Sequence, residues 1–462
     1  MPSAATDWAT LLADPGSVSA VPARADGDTI DGVRCRIGGH EAVLVWCRFD
    51  VAAGTLSRAA ADRFVELADA ATAAGLPLVA VANSGGVRMQ EGPRAFVRMV
   101  DLVAAVRRHR DAGLPVVTYL ADPTTGGILA SWGSLGHVCA AEPGATIGFT
   151  GPRVAEGLGS PIEPADVQRA EGLHARGLVD AVVSRSELRD WLADVLAALA
   201  PPTALATPTA LAPHTAPFRA RGTGAGTVPR ARNDGGAGPT GWAAVAATRA
   251  PGRPRVVDGV LAALAEEGPI VEVRGDRIGG RDGAMVTAFA RLGGRRILLV
   301  AHRGRGGRPA RPTAATLRSA RRAMELADEL GVAVVTLIDT PGPVIDAEQE
   351  AQGMAGEVAR SLDTMGRLRV PSVAVLAGQG GGGPALAWFA ARSRFAVPDA
   401  WLAPISPEAG SLIVHRDTAH AAEIAELQQV SATELARDGV VDRVIDPDDL
   451  LDAVAAAIEA QR

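Results

Sequence analysis

Two stretches of this 462-residue chain follow the same order of elements, and that repetition limits its fold more than any other feature. In the first, Ala42 to Cys47 (AVLVWC) reads as a short strand. A helix from Ser57 to Ala74, ended by Gly75, leads to a buried strand, Leu78 to Ala82, and the turn Ser84-Gly85-Gly86. A helix from about Arg94 to Arg110 precedes strand Val116 to Leu120, and Asp122 to Gly127 opens another helix. The second stretch repeats this with strand Ile297 to Ala301, helix Ala314 to Leu330 before Gly331, strand Val332 to Ile338 and the turn Asp339-Thr340-Pro341-Gly342. Helix Glu348 to Leu368, strand Ser372 to Leu376 and the run Gly380 to Gly383 complete it. Strands alternating with helices predict parallel βαβ units, and two such series predict an internal duplication. Between them, Pro201 to Thr240 is rich in Pro, Gly, Ala and Thr and shows no apolar period, which reads as an extended linker. The expected domains are 1–200 and 241–462, joined by 201–240.

Composition removes whole classes of function. The chain contains no lysine, so neither a Schiff-base lysine nor a Walker-type phosphate lysine exists. Net charge is -6 and aromatics are 3%, which gives no electrostatic footprint for nucleic acid and no stacking platform for single strands. No apolar run reaches the roughly 20 residues of a membrane span. The start of the chain lacks the basic and apolar pattern of a secretory signal, so a soluble cytoplasmic protein is expected. Cys35, Cys47 and Cys139 are too few for a disulfide framework or a four-cysteine zinc site, and no metal is expected. Cys139 reads as a packed residue on an apolar helix.

In each half, glycines stand where a strand ends and again where a helix begins. Both places leave backbone N–H groups without partners, and glycine admits close approach of a substrate. Two such N–H groups, one from each turn, can hold a carbonyl oxygen as it gains negative charge, with help from the helix dipole. Any one of these turns alone reads as a plain tight turn, and none spells G-x-G-x-x-G. The same pair in both halves is what favours an oxyanion hole.

Particular motifs then match a known family. Asn83-Ser84-Gly85-Gly86-Val87-Arg88-Met89-Gln90-Glu91-Gly92 resembles the SGGARMQEG signature of the carboxyltransferase β subunit of acetyl-CoA carboxylase. Asp122 to Ser131, Ala141-Glu142-Pro143 and Gly148 to Val154 continue the match. Gly241-Trp242 to Pro254, Gly275-Asp276-Arg277, Leu337 to Gly342, Gly378 to Ala387 and Ile405-Ser406-Pro407-Glu408 resemble the α subunit in order. The resemblance implies a β–α fusion: an α/β protein of two tandem crotonase-like (ββα-superhelix) domains, with an active site between N- and C-type domains of a homo-oligomer. It implies an acyl-CoA carboxyltransferase in which the N-type half takes the acyl-CoA, or an acyl carrier protein, and the C-type half takes carboxybiotin. Carboxybiotin would release carbon dioxide, and the biotin anion would take the acyl α-proton. The enolate would then capture the carbon dioxide, each half holding one oxyanion. Biotin would come on a biotin carboxyl carrier protein with a separate biotin carboxylase, since this chain has no lysine to biotinylate.

Mapped onto this chain, Gly86, Val87, Gly127 and Ile128 supply the first oxyanion hole, with Ser84, Gly85, Arg88 and Gly126 beside the substrate. Arg88 is a candidate for a CoA phosphate, and Arg153 has no assigned role. On the biotin side stand Gly342, Pro343, Gly382, Gly383 and Pro384. There the family pattern carries alanine after DTPG and a further glycine, and proline has no N–H to donate. Either neighbouring amides such as Gly382 and Gly383 hold the biotin oxygen, or that half is impaired. The second case opens two alternatives: a biotin-independent decarboxylase of a malonyl-type thioester, and an inactive acyl-CoA-binding or scaffolding subunit. The β subunit's zinc ribbon is missing from the pattern, and Asp50 to Thr55 is only partly glycine. The arginines from Arg303 to Arg322 read as a solvated basic face, with phosphate or carrier-protein binding as the alternative, and His137 and His302 read as structural, with a base role as the alternative. His415 and His420 have a metal-like spacing without a partner to complete it.

Overall fold

In a computed structural model the described residues are 7–21, 28–199, 239–280, 283–305 and 308–462. Most of the expected linker, 201–238, lies outside them. The chain divides into two compact units, each an α/β layer structure. The described part of unit 1 comprises residues 7–21, 28–88, 98–199 and 345–359; that of unit 2 comprises 89–97, 239–280, 283–305, 308–344 and 360–462.

Unit 1 is built on β1 (Ile30–Ile37) and β2 (His40–Cys47), an antiparallel pair, followed by α1 (Arg58–Ala74) and β3 (Leu78–Ser84). Then come α2 (Met99–Asp111), β4 (Val116–Thr125), the single-turn α3 (Gly126–Leu129) and β5 (Val138–Ala141). Strands β2 to β5 pair in parallel in that order. β3 is buried at every position, as a strand covered on both faces must be. Helix α1 starts at Ser57, whose hydroxyl accepts from Ala60 N, and stops at Gly75 in the left-handed conformation. Its Phe64, Leu67 and Ala68 face inward.

Unit 2 repeats the plan with β6 (Met285–Leu292), β7 (Arg295–His302), α4 (Ala314–Glu329) and β8 (Ala333–Thr340). α5 (Met354–Arg367), whose residues 354–359 count with unit 1, then β9 (Ser372–Gly381), α6 (Gly382–Phe389) and β10 (Ser393–Ala396) follow. The pairings repeat too: β6–β7 antiparallel, then β7, β8, β9 and β10 parallel. Thr313 caps α4 where Ser57 caps α1.

Three expectations are corrected. The helix expected from Arg94 to Arg110 is broken: Met89–Glu91 is a 3₁₀ turn, Pro93–Phe96 a single turn, and α2 begins at Met99. The helix expected from Glu348 to Leu368 is likewise two, Ala347–Ala351 and α5, separated at Gln352 and Gly353 (φ 72°). Cys139 lies on strand β5, not on a helix, between Val138 and two alanines. The apolar run there is short, and a four-residue strand looks the same as a helical turn in sequence.

Candidate active site

Each unit carries one pair of glycine turns at the end of its two central parallel strands. In unit 1, β4 spends four residues from Leu120 to Thr124 where β3 spends two from Ala82 to Ser84. Asn83 fastens this bulge by donating from Nδ2 to Asp122 O at 2.7 Å, and Thr124 Oγ1 donates to Ala82 O at 2.9 Å. The bulge brings the β3 turn against the start of α3. A Cβ placed on Gly126 would stand 3.1 Å from Gly86 Cα, and one on Gly127 only 2.4 Å from Val87 Cγ2. Gly86 at φ 112° and Gly126 at φ 62° both occupy backbone conformations that suit glycine.

The donors in this pocket of backbone are unequal. Gly85 N–H donates to Ala53 O at 2.9 Å, and Gly86 N–H donates to its own turn's Ser84 Oγ at 3.0 Å. Gly86 is therefore not a free donor, contrary to expectation, because the Ser84 hydroxyl has closed the turn on itself. Leu56 bridges the turn by donating to Gly86 O and accepting from Arg88 N, both at 2.8 Å. That leaves Val87 N–H between two bonded neighbours, with no acceptor among the described residues. Ile128 N–H lies in the first turn of α3, where no intrahelical acceptor exists, and likewise has none among the described residues. Arg88 pairs with Asp28, and its Nε reaches Thr55 Oγ1 at 3.3 Å, so its charge is already matched.

Unit 2 has the same backbone and different chemistry. Thr340 pairs with Gly380 as Ser84 pairs with Thr124, which sets Gly342 on Gly86, Pro343 on Val87, Gly382 on Gly126, Gly383 on Gly127 and Pro384 on Ile128. The torsions agree: φ is 121° at Gly342 and 68° at Gly382. Gly342 N–H donates to Thr340 Oγ1 at 3.2 Å, repeating the Gly86–Ser84 bond. The two positions that are free amides in unit 1 are thus both prolines here. Pro343 Cδ, which stands where an amide hydrogen would, lies 3.4 Å from a Cβ built on Gly382. Beside this turn, Val344 N donates to Pro312 O at 2.9 Å, the counterpart of Arg88 N to Leu56 O. Arg311 therefore takes the place of Thr55, and its Nη1 donates to Pro343 O at 3.2 Å.

Below the turn, Asp339 is fully buried and accepts from Arg255 Nε at 3.0 Å, Arg253 Nη2 at 3.1 Å and Gln379 N at 3.0 Å. His302 is also fully buried, edge-on to Trp388, with Nδ1 3.3 Å from Leu337 O; burial pulls its imidazole down to about 4. His137 accepts from Val116 N at 3.0 Å, a structural role. His415 and His420 stack at 4.2 Å with Asp417 2.9 Å from His420 Nδ1. Arg153 is exposed. Of the arginine run, Arg303 pairs with Glu272 and Arg318 with Asp276.

One feature of unit 1 went unread in sequence. Glu350 is buried and accepts from Phe149 N at 2.8 Å, Thr150 N at 2.9 Å and Gln168 Nε2 at 2.9 Å, fixing the Gly148 to Val154 motif. Its partners are some 200 positions away, so no local spacing could announce them.

Comparison with known proteins agrees with this architecture. The carboxyl transferase domain family matches residues 25–233, and the acetyl co-enzyme A carboxylase carboxyltransferase-like family matches 237–453. A probable biotin-dependent acyl-coenzyme A carboxylase beta3 subunit of Mycobacterium tuberculosis is 40% identical over 419 residues, covering 89% of this chain and 78% of that one. The acetyl-coenzyme A carboxylase carboxyl transferase subunits beta/alpha of Saccharopolyspora erythraea are 37% identical, covering 89% and 70%. The solved transcarboxylase 12S, a hexamer with methylmalonyl-coenzyme A bound, is 22% identical with a TM-score of 0.41, covering 98% of this chain and 88% of that one. The chain belongs to the carboxyltransferase family of acyl-CoA carboxylases, with a carboxyl transferase domain followed by an acetyl co-enzyme A carboxylase carboxyltransferase-like domain. It is an enzyme of that class. No helix among the described residues is long and apolar enough to cross a membrane.

Proposed function

We propose that this chain moves a carboxyl group between carboxybiotin and an acyl-CoA of acetyl or propionyl type, and that unit 1 holds the thioester. The observation that carries this reading is the pair of unbonded amides, Val87 and Ile128, on turns in van der Waals contact. Loss of the acyl α-proton moves charge onto the thioester oxygen. Donors fixed beforehand at that oxygen stabilise the enolate without reorganising. No nucleophilic side chain is needed, and the hydroxyl of Ser84 is already committed to Gly86 N–H. Gly85, Gly126 and Gly127 supply the close approach, and Gly86 holds the turn open for Val87.

The N-type domain is assigned to 1–200, the C-type to 241–462, with 201–240 as linker. The partners are a biotin carboxyl carrier protein and a biotin carboxylase on other chains, and a second copy of this chain, in the cytoplasm. The test is to incubate purified protein with malonyl-CoA and methylmalonyl-CoA, with and without free biotin, and to follow the acyl-CoA products. Biotin-dependent loss of carboxylate is expected. Loss that ignores biotin would replace this reading with a decarboxylase, and no turnover with a scaffolding subunit.

A further inference from the structure

The second substrate of that reaction meets a turn with few main-chain donors. In unit 1 the amides of Gly85, Leu56, Val87 and Ile128 surround the turn; in unit 2 the same register positions are Pro341, Pro312, Pro343 and Pro384. The Gly85 and Leu56 amides already serve Ala53 O and Gly86 O, so the donors lost to a ligand are the two at Pro343 and Pro384, while the Gly382 and Gly383 amides remain. The main-chain set that the family places around the ureido oxygen of biotin therefore does not fit at Pro343 and Pro384.

A side chain of opposite character has appeared in their place. Arg311 stands where unit 1 has Thr55, and its guanidinium is tied by Nη1 to the carbonyl of Pro343, the residue that has lost its donor. A guanidinium carries five N–H donors in a planar fork. Among the described residues no other bond of Arg311 is formed, and the residue is exposed. The neighbouring Arg249 is occupied by Glu408, which also faces Arg311 and orders the cluster. In unit 1 the cation beside the turn, Arg88, stands at the register position of Val344 and is neutralised by Asp28; unit 1 thus offers amides alone, whereas unit 2 adds the Arg311 guanidinium to the remaining amides of Gly382 and Gly383.

We propose that Arg311 is the anion donor that replaces the amides lost at Pro343 and Pro384 of unit 2, its guanidinium binding the ureido oxygen of biotin. This rests on the carboxyltransferase reading above, and the two fail separately. The test uses the full chain, with three readouts: biotin-dependent turnover of malonyl-CoA, the Kd for free biotin by isothermal titration, and thermal unfolding. Arg311→Ala should lower biotin-dependent kcat by about 10²–10³, the effect of removing an oxyanion donor, with KM for malonyl-CoA unchanged. Biotin binding should weaken about tenfold, as for loss of one hydrogen bond to a charged group. Arg311→Lys, which keeps the charge and loses the fork, should fall between. Adding Pro343→Ala and Pro384→Gly to Arg311→Ala should restore turnover, since those changes return the two amides. A folded Arg311→Ala within twofold of wild type in both turnover and biotin affinity overturns the proposal. If wild type shows no biotin-dependent turnover, the function reading fails, and the change in biotin affinity alone then judges Arg311.

Discussion

Val87→Pro deletes one hydrogen-bond donor from unit 1 and almost nothing else, because unit 2 already contains the result. Gly342–Pro343 shows that a proline fits after a glycine at φ 121°, and Gly86 is at 112°. Neither bond of the Leu56 bridge uses Val87 N–H; they run from Leu56 N to Gly86 O and from Arg88 N to Leu56 O. No protein hydrogen bond is therefore broken. Val87 is half-buried, and valine and proline each carry three side-chain carbons, so the exchange relocates one carbon, worth about 0.8 kcal/mol if its burial is lost. The chemical step is different in scale: an oxyanion donor contributes about 2.7–4 kcal/mol, or 10²–10³ in kcat. The assay is kcat and KM for malonyl-CoA in the biotin-dependent reaction, beside a thermal melt. A small shift in Tm with a hundredfold or greater fall in kcat is expected. A folded Val87→Pro protein with kcat within threefold of wild type would refute the backbone oxyanion hole, since no other function of that amide is available. Ile128→Pro is a poorer probe, because Ile128 is fully buried and its packing would change as well.

Two further predictions concern the support beneath the unit 2 turn. His302 ionises near 4 when folded and near 6.5 when exposed, so between those values the unfolded chain binds more protons. Stability then rises with pH across that window and is lost as pH falls through it, by about 3 kcal/mol; His302→Gln should flatten urea midpoints between pH 6.5 and 4, and an unchanged slope would contradict the assignment. Asp339→Ala leaves Arg253 and Arg255 facing each other without their shared carboxylate and should cost about 3–5 kcal/mol by denaturant unfolding; a cost under about 1 kcal/mol would mean that water already screens the pair.

What could be read from sequence was local. Ser57 and Gly75 mark the ends of α1 by capping chemistry, and β3 and β8 announce themselves as unbroken apolar runs. The glycine turns were legible because the same residue types recur at the same places in both halves. The helices after those turns were harder. Arg94 to Arg110 has helical composition throughout, yet Gly92 at φ 49° and the short Pro93–Phe96 turn break it, since residues 89–97 pack in unit 2: Gln428 Nε2 donates to Met89 O at 3.2 Å and Arg94 Nε to Asp438 at 2.6 Å. Tertiary partners some 340 positions away decide that break. Arg311 and Glu350 were invisible for the same reason, as each acquires its meaning from a carbonyl or amide that only the fold supplies. The Ser84 hydroxyl on Gly86 N–H was a matter of one rotamer, which leaves Val87 as the free amide of the expected Gly86–Val87 pair.

The prolines of unit 2 are themselves an argument about unit 1. Proline inside a strand or helix normally removes a bond that the fold needs. At positions 343 and 384 it removes none, because the equivalent N–H groups of Val87 and Ile128 have no protein acceptor to lose. Fold stability is thus indifferent to an N–H at these two places. Their only energetic meaning is toward an acceptor that comes from outside the chain. A duplicated backbone whose copies differ in donors at just such places has kept its framework and changed what it offers a ligand. In unit 1 the offer is two dipoles of fixed direction, suited to charge that develops on a thioester oxygen during reaction. In unit 2 it is a full positive charge on a flexible stem, whose attraction for a ureido oxygen is weak while that oxygen is neutral and grows as it becomes anionic. Attraction that grows in this way lowers the barrier more than it tightens binding. The guanidinium therefore aids turnover only to the extent that the bound oxygen gains charge as the carboxyl group leaves.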